Sequence, residues 1–285
     1  MLTWIFVYMT NIGYVPKIGG WKPDHTMSDA ADHVDLLFND NLDKIAAVGA
    51  SVANPGIETN GVLDLRHWCP PVENQGQASS CVGNSVVGGL EFLQIRNGVA
   101  FEDLSRLFVY YNSRLMHQQQ DKDEGTYIRL AMGTLSSLGT CTEKKWPYDL
   151  KTLFTRPSWG SYREAYPNKI DGYYRIYGTG QSRIDKIKQA LAAQHPVVFG
   201  MQVDSNYMNV GPDGMMLAFD KSKAIGGHAQ LIVGYNEPLR RLIVRNSWGT
   251  YWGDRGYCYC PYDNLDASDA NDFWVPTAVP QHFTP

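Results

Sequence analysis

The sequence predicts an α+β fold in which a helical half precedes a β-rich half. Apolar residues recur at helical spacing in three stretches between residues 62 and 160. Runs rich in β-branched and aromatic residues dominate residues 161–285. Helices and strands that are segregated along a chain in this way are typical of α+β proteins.

A further segment of different composition precedes the two halves. Residues 51–61 are rich in Gly, Pro and Asn and predict a linker. We therefore divide the chain into an N-terminal extension (1–60), a helical lobe (61–160) and a β-rich lobe (161–285). Within the extension, residues 2–9 are apolar but form a poor signal peptide, and residues 29–48 carry a helical pattern.

Composition excludes several classes of function. The chain of 285 residues is 44% hydrophobic and 19% charged, a balance typical of globular proteins. Its net charge of −4 argues against a nucleic-acid partner, which would require a basic face. The sequence has no apolar run long enough to span a bilayer.

The cysteines do not indicate a metal site. Cys258 and Cys260 alternate on a predicted strand and face the same way. A Cys-x-Cys pair can help to bind a metal, but no second ligand pair stands near it in the sequence. We therefore expect two packed free thiols, with neither a metal nor a cofactor.

Helix signals fill residues 62–160. One helix should begin at Cys81 and end at Asn97-Gly98. A second is predicted over residues 104–116, with Ser105 as its cap, and a third over residues 128–138, ended by Gly139.

Strand signals dominate the rest of the chain. Strands are predicted over residues 173–177 and 196–203, with an amphipathic helix over residues 184–194 between them. His228 opens the apolar run 231–235, and Asn246 follows the run 242–245. If these two strands are antiparallel neighbours, His228 and Asn246 can meet.

Gln75 lies six residues before Cys81, which should stand at the N-terminal end of its helix. The free N–H groups of a first helical turn favour an anion and lower a thiol pKa. Taken singly, such a Cys is more often a small buried hydrophobe, and His228 and Asn246 are ordinary core or turn residues. The order Gln–Cys, His, Asn together indicates a cysteine hydrolase.

These segments resemble the papain-like cysteine peptidases from about residue 62 to the C-terminus. The strongest stretches are residues 71–85, 227–235 and 245–257. Residues 14–16, 104–114 and 146–148 are similar to the bacterial branch, of which xylellain is an example. The resemblance implies a two-lobed papain-like fold, with a helical left lobe, a β-barrel-like right lobe and the active-site cleft between them.

The resemblance also implies a role for each motif residue. Cys81 would be the nucleophile and His228 the base and proton donor. Asn246 would orient the imidazole, and Gln75 would donate to the oxyanion together with the Cys81 backbone N–H. Trp248 would shield the His–Asn contact from water.

The substrate-binding residues are implied in the same way. Gly125 falls where the family has a Gly-rich strip that pairs with substrate. Ala229 would form one wall of the second subsite, and Asn271 its floor. Nearby carboxylates leave open some tolerance for a basic side chain, unless they are simply a solvated loop: Asp266, Asp269 and Asp272.

Two departures from the family pattern concern neighbours of the nucleophile. Val82 stands where the family usually has Trp, and Ala78 where it usually has a disulfide-bonded Cys. Neither change removes a group that performs chemistry, and the disulfide is therefore expected to be absent.

The predicted function is a cysteine endopeptidase acting through a thioester on an extended peptide or protein substrate. An acyl transferase or ligase with the same residues, and a catalytically silent binding scaffold, remain alternatives. Residues 1–60 are either a segment that occupies the cleft and keeps the enzyme latent or a structural arm packed elsewhere. We expect a monomer, and family precedent favours a secreted or periplasmic protein.

Overall fold

The computed structural model describes residues 16–24, 38, 41, 43 and 58–278. The apolar stretch 2–9 and most of the helix predicted over residues 29–48 lie outside the described residues. Within the described part, helices and an antiparallel sheet surround a continuous apolar core. The α+β prediction is confirmed.

The three predicted helices of the first half are present. Helix α1 spans Cys81–Arg96, α2 spans Arg106–Met116 and α3 spans Ile128–Ser137. Helix α1 is buried along nearly its whole length, because α2 and α3 pack on one side of it and the sheet on the other. This central position explains why its apolar residues are not confined to one stripe.

The second half supplies most of the sheet. Its elements in chain order are β2 (Gly172–Ile176), α5 (Gly180–Ala192), β3 (Val197–Asp204), β4 (Ala224–Asn236), β5 (Arg241–Arg245), β6 (Tyr257–Pro261), α6 (Tyr262–Ala267) and β7 (Asp272–Thr277). Strand β1 (Val62–Asp64) lies before α1, and helix α4 (Trp159–Ala165) lies between α3 and β2.

The sheet is open rather than a closed barrel. Its order in the described residues is β2-β7-β3-β4-β5-β6, with β1 pairing β4 beside this path, and every pairing is antiparallel. The expected barrel-like lobe is therefore corrected to an open antiparallel sheet, since β2 and β6 form its two ends. Alternating apolar runs predict strands, but they do not determine whether the first and last strands pair.

Close packing brings α1 onto β5. A Cβ on Gly88 of α1 would lie 2.8 Å from Nη1 of Arg245, so the guanidinium group packs closely against this glycine. Arg245 also donates a hydrogen bond to the Pro71 carbonyl. Because Arg245 is the last residue of β5, these contacts fix the position of Asn246, which follows it.

Some boundaries differ from the sequence predictions. Helix α5 begins at Gly180, four residues before the predicted start, because its polar first turn carries no apolar periodicity. Strand β4 begins at Ala224, so His228 lies within a strand rather than ahead of one. Helix α4 crosses the predicted lobe boundary at residue 160. The division into three segments stays a prediction.

All five cysteines lie in the described part of the chain, and all five are free. Cys258 and Cys260 are both buried on β6, as the alternation predicts. Within residues 16–24 and 58–278, no helix is both long and apolar enough to cross a membrane.

The cap of α2 generates a stability prediction. Ser105 Oγ accepts the Phe108 N–H at 3.2 Å and donates to the Trp146 carbonyl at 2.6 Å. Ser105→Ala should lower the free energy of unfolding by about 1–2 kcal/mol, because a buried N–H and a partly buried carbonyl each lose a partner. Urea unfolding followed by circular dichroism measures the change.

Ser158→Ala is the matched control, because Ser158 caps the short helix α4 from an exposed position. Its loss should be smaller. An equal loss in the two variants would contradict the assigned role of the buried cap.

Candidate active site

Cys81 lies where the helical half meets the sheet. It is the first residue of α1, and its Sγ accepts a hydrogen bond from the Ala229 backbone N–H at 3.4 Å. Because Ala229 follows His228 on β4, the sulfur lies beside the backbone of the predicted base. The structure thus brings together two residues that are 147 positions apart in the sequence.

His228 and Asn246 meet across neighbouring strands. Nε2 of His228 lies 2.8 Å from Oδ1 of Asn246, and the Ser247 N–H donates to the same oxygen at 2.8 Å. The backbone donor identifies Oδ1 as the amide oxygen, so we assign the imidazole proton to Nε2. The buried Nδ1 has no hydrogen-bond partner and carries the free lone pair.

Trp248 covers this pair. Its ring centroid lies 4.9 Å from that of His228, at an interplanar angle of 34°. Trp248 is buried, and the rings of Tyr207 and Trp252 pack around it. The aromatic cluster keeps water away from the His228–Asn246 hydrogen bond, which strengthens it.

Gln75 is held by both ends of its amide. Its Oε1 accepts from Ser247 Oγ at 2.7 Å, and its Nε2 donates to the Ala78 carbonyl at 3.0 Å. The Gln75 backbone N–H donates to the Ser247 carbonyl at 2.8 Å. These bonds tie the loop before α1 to the residue after Asn246, and they leave one N–H of Gln75 for a carbonyl in the cleft.

A family model described as "Papain family cysteine protease" matches residues 61–271. The chain belongs to this family. Xylellain, a cysteine protease from Xylella fastidiosa, has a solved structure that matches with a TM-score of 0.73 and 32% identity, over 93% of this chain and 97% of that one.

Two curated relatives of this papain-family protease match it over different shares of their length. Peptidase C1-like protein L477 of Acanthamoeba polyphaga mimivirus is 36% identical over 93% of this chain and 86% of its own length. A cysteine protease of Blomia tropicalis is 25% identical over 66% of this chain. That match spans 56% of the Blomia protein, little more than half of its length.

Residues 16–24, which we call the cleft segment, pass directly over the sulfur. A Cβ on Gly20 would lie 2.7 Å from Cys81 Sγ, so only glycine fits at this point. The segment pairs with both walls. The Gly19 N–H donates to the Gly227 carbonyl at 3.0 Å, and the Gly20 carbonyl accepts from the Thr126 N–H at 3.0 Å.

Three further contacts fix the ends of the cleft segment. Nε2 of Gln75 donates to the Lys17 carbonyl at 3.0 Å, using the N–H that the resemblance assigns to the oxyanion. The Lys17 ammonium forms an ion pair with Asp123 at 2.6 Å. At the other end, the Lys22 N–H donates to the Thr126 carbonyl at 3.0 Å.

Burial decides the charge state of the covered pair. It raises the pKa of Cys81 to about 12, although N–H groups of Ala229, Val82, Cys81 and Gly20 act in the opposite direction. Burial likewise lowers the pKa of His228 to about 4, against the effect of its hydrogen bond to Asn246. The sequence predicted a lowered thiol pKa; in the covered cleft, desolvation outweighs the helix N-terminus.

The predicted substrate-binding residues are placed as follows. Gly125 has a φ of +80°, and a Cβ there would overlap the backbone of Gly20. The backbone hydrogen bonds to the cleft segment come from its neighbour Thr126. Ala229 is buried beside the sulfur, whereas Asn271 is exposed.

Sequence reasoning named Asp272, the neighbour of Asn271, only as one of three nearby carboxylates and missed its burial and its contact with Trp21. Its Oδ2 accepts a hydrogen bond from Nε1 of Trp21 at 3.1 Å. An acidic residue in a run with Asp266 and Asp269 carries no sign of burial, so the pattern could not single it out. The Gly19-Gly20 pair before Trp21 was the available signal for a close backbone approach.

No metal site accompanies this arrangement in the part of the chain that the structure describes. No cluster of three or more His, Cys, Asp or Glu side chains could hold an ion there. The groups present are a thiol, an imidazole and two amides, which suit acyl transfer.

The buried imidazole predicts an unusual titration. In the full chain, His228 should stay neutral until the pH approaches 4, because the site excludes the water that would solvate its charge. An open or unfolded chain binds that proton near the usual pKa of 6.5. Stability that is complete above pH 6.5 is therefore lost as the pH falls toward 4. An NMR titration of the imidazole ring measures the pKa.

Trp21→Ala, which weakens the cover over the cleft, should move the midpoint for His228 upward. A midpoint near 6.5 in the unaltered chain would show that the imidazole is hydrated and would contradict the covered site.

Proposed function

We propose that this protein is a cysteine endopeptidase that hydrolyses peptide bonds through a thioester on Cys81. The observation that carries the proposal is the hydrogen bond between His228 Nε2 and Asn246. It leaves Nδ1 as the imidazole's acceptor in the site that also contains the Cys81 thiol. A nucleophile, a base and an orienting group in this relation are the requirements for activating a thiol.

The reaction follows from these positions. In the open site Nδ1 of His228 has taken the thiol proton, so the thiolate Sγ attacks the carbonyl carbon, and the resulting oxyanion accepts from Gln75 Nε2 and the Cys81 N–H. The C–N bond then breaks, and the leaving amine takes the proton from His228. Next, His228 deprotonates a water molecule that attacks the thioester. Expulsion of the sulfur releases the acid and restores the thiol.

The path of the cleft segment supports endopeptidase action. It runs from Lys17 beside Gln75, past Gly20 at the sulfur, to Lys22 beside Thr126. A chain therefore fits on both sides of Sγ. Cleavage within a chain requires such a cleft, because peptide must extend in both directions from the scissile bond.

We also propose that the cleft segment holds the enzyme latent. It occupies the Gln75 donor with the Lys17 carbonyl and places Gly20 against the sulfur. Attack requires both groups at a single carbonyl. Since the Gly20 carbonyl instead accepts from the Thr126 N–H, the segment is bound as an occupant and not as a substrate.

Latency on this view is electrostatic as well as steric. Burial of the covered site favours the neutral thiol and the neutral imidazole, and the raised pKa of Cys81 and the lowered pKa of His228 support this proposal. When the segment leaves, water returns and the helix N-terminus again favours the thiolate. The ion pair with His228 then stabilises both charges.

Loss of the nucleophile tests the chemistry. In a Trp21→Ala background, Cys81→Ser should lower kcat for hydrolysis of a fluorogenic peptide at least about 1000-fold, because a serine hydroxyl beside an imidazole tuned to a thiol is a poor nucleophile. Cys69→Ser is the matched control, since Cys69 is also free. Hydrolysis that survives Cys81→Ser would overturn the assignment.

Removing the Trp21 side chain tests latency. Trp21→Ala should raise peptidase activity of the full chain at least about tenfold, because truncating a buried Trp removes roughly 3 kcal/mol from the closed state. Lys22→Ala is the matched control. Lys22 is next to Trp21, its side chain is only partly buried, and its backbone N–H keeps the hydrogen bond to the Thr126 carbonyl in the variant. Iodoacetamide labelling of Cys81 should rise in parallel. Unchanged activity in folded Trp21→Ala would contradict latency.

A further inference from the structure

The Trp21 indole of the cleft segment lies in a narrow slot of the sheet. The slot is formed where β7, β3 and β4 run side by side, with Asp272 and Ala229 paired to Gly200 from either side. A Cβ on Gly200 would overlap the indole ring, and a Cβ on Gly227 would lie 2.7 Å from its Cε3. Two glycines thus leave space for a flat ring that a larger residue at either position would fill.

The slot ends at a buried carboxylate. Asp272 is 1% exposed, and its Oδ2 accepts the indole Nε1–H of Trp21 at 3.1 Å. Its Oδ1 accepts from Nε1 of Trp274 at 2.5 Å, which fixes the orientation of the carboxylate. A buried acceptor of this kind penalises a ligand that fills the slot without supplying a donor.

The slot lies next to the reactive sulfur. Gly20 lies against Sγ of Cys81, and Trp21 is the next residue in the chain. A substrate that follows the same path would place a side chain in this slot one residue away from the residue at the sulfur. When the cleft segment leaves, Asp272 loses the donor that Trp21 supplies.

We propose that Asp272, with Gly200 and Gly227, makes this slot selective for tryptophan; the slot adjoins Ala229, where the family resemblance implies the second subsite, and the inference rests on the proposed peptidase function. The two glycines select a flat ring, and Asp272 selects a ring that carries an N–H. The occupant of the closed state and the preferred substrate therefore present the same side chain to the same slot.

The test uses full-length Trp21→Ala, in which the slot is open. The peptides differ at one position only, which carries Trp, benzothienylalanine, Phe, Leu or Arg. In one series this position precedes the residue that supplies the scissile carbonyl, and in a second series it follows that residue. Benzothienylalanine has the shape of Trp with sulfur in place of N–H. We expect kcat/KM for Trp to exceed that for benzothienylalanine by at least about tenfold, the usual effect of an unpaired buried charged acceptor.

A second variant tests the shape of the slot. Gly200→Ala should lower kcat/KM for the Trp peptide more than for the Leu peptide, because the added methyl group takes the space of the ring. Gly211→Ala is the matched control, since a Cβ there meets nothing closer than 3.5 Å. Equal rates for Trp and benzothienylalanine, or a preference for Leu, Phe or Arg, would overturn the proposal even if Gly200→Ala does not fold.

Binding separates this inference from the proposed function. N-acetyl-tryptophanamide is titrated by NMR into full-length Trp21→Ala/Cys81→Ser, with the benzothienylalanine analogue as comparison. Tighter binding of the indole in a protein whose Cys81 form hydrolyses no peptide would support the slot and refute the peptidase. Hydrolysis without any indole preference would refute the slot and leave the peptidase in place.

Discussion

The structure depends on the contact between the first turn of α1 and strand β4. The hydrogen bond from the Ala229 N–H to Cys81 Sγ marks this contact, which brings the proposed nucleophile on the helix to the proposed base on the sheet. Neither residue is positioned by its own neighbours in sequence. The buried helix α1, packed on β3 and β4 through glycine and apolar side chains, sets the distance between them.

The amide groups around this contact act as fixed supports. Asn246 holds the imidazole proton on Nε2, and Ser247 holds the Gln75 amide by its oxygen. Because Ser247 directly follows Asn246, one turn after β5 orients both the His228 imidazole and the Gln75 amide. Arg245, packed against Gly88 of α1 and bonded to the Pro71 carbonyl, anchors that turn to the helix. Such prearranged dipoles cost no reorganisation during a reaction.

The nine residues of the cleft segment affect access to the sulfur, the charge state of the covered thiol and imidazole, and the slot beside them. Its glycines admit the backbone to the sulfur, its burial of the site removes water, and Trp21 fills the slot that ends at Asp272. In the proposed latent state, the contacts that hold the segment in place also define the proposed tryptophan subsite. Exposing the buried Trp21 indole to water costs free energy, and this cost stabilises the segment in the cleft.

The sequence by itself determined the main helices of the helical half and identified the candidate reactive groups. Apolar spacing and the Asn97-Gly98 stop gave the limits of α1, and the motifs around Cys81, His228 and Asn246 identified three groups that the structure brings together. Local spacing suffices there, because capping and periodicity act between near neighbours.

Only the tertiary structure decided that the sheet is open, that Asp272 and not Asn271 contacts Trp21, and that residues 16–24 cover the sulfur. It also decided the charge state of the covered thiol. Each of these depends on burial and on contacts between residues far apart in the chain. Desolvation arises from everything packed around a group, so no pattern in the sequence near Cys81 could reveal a pKa raised to about 12.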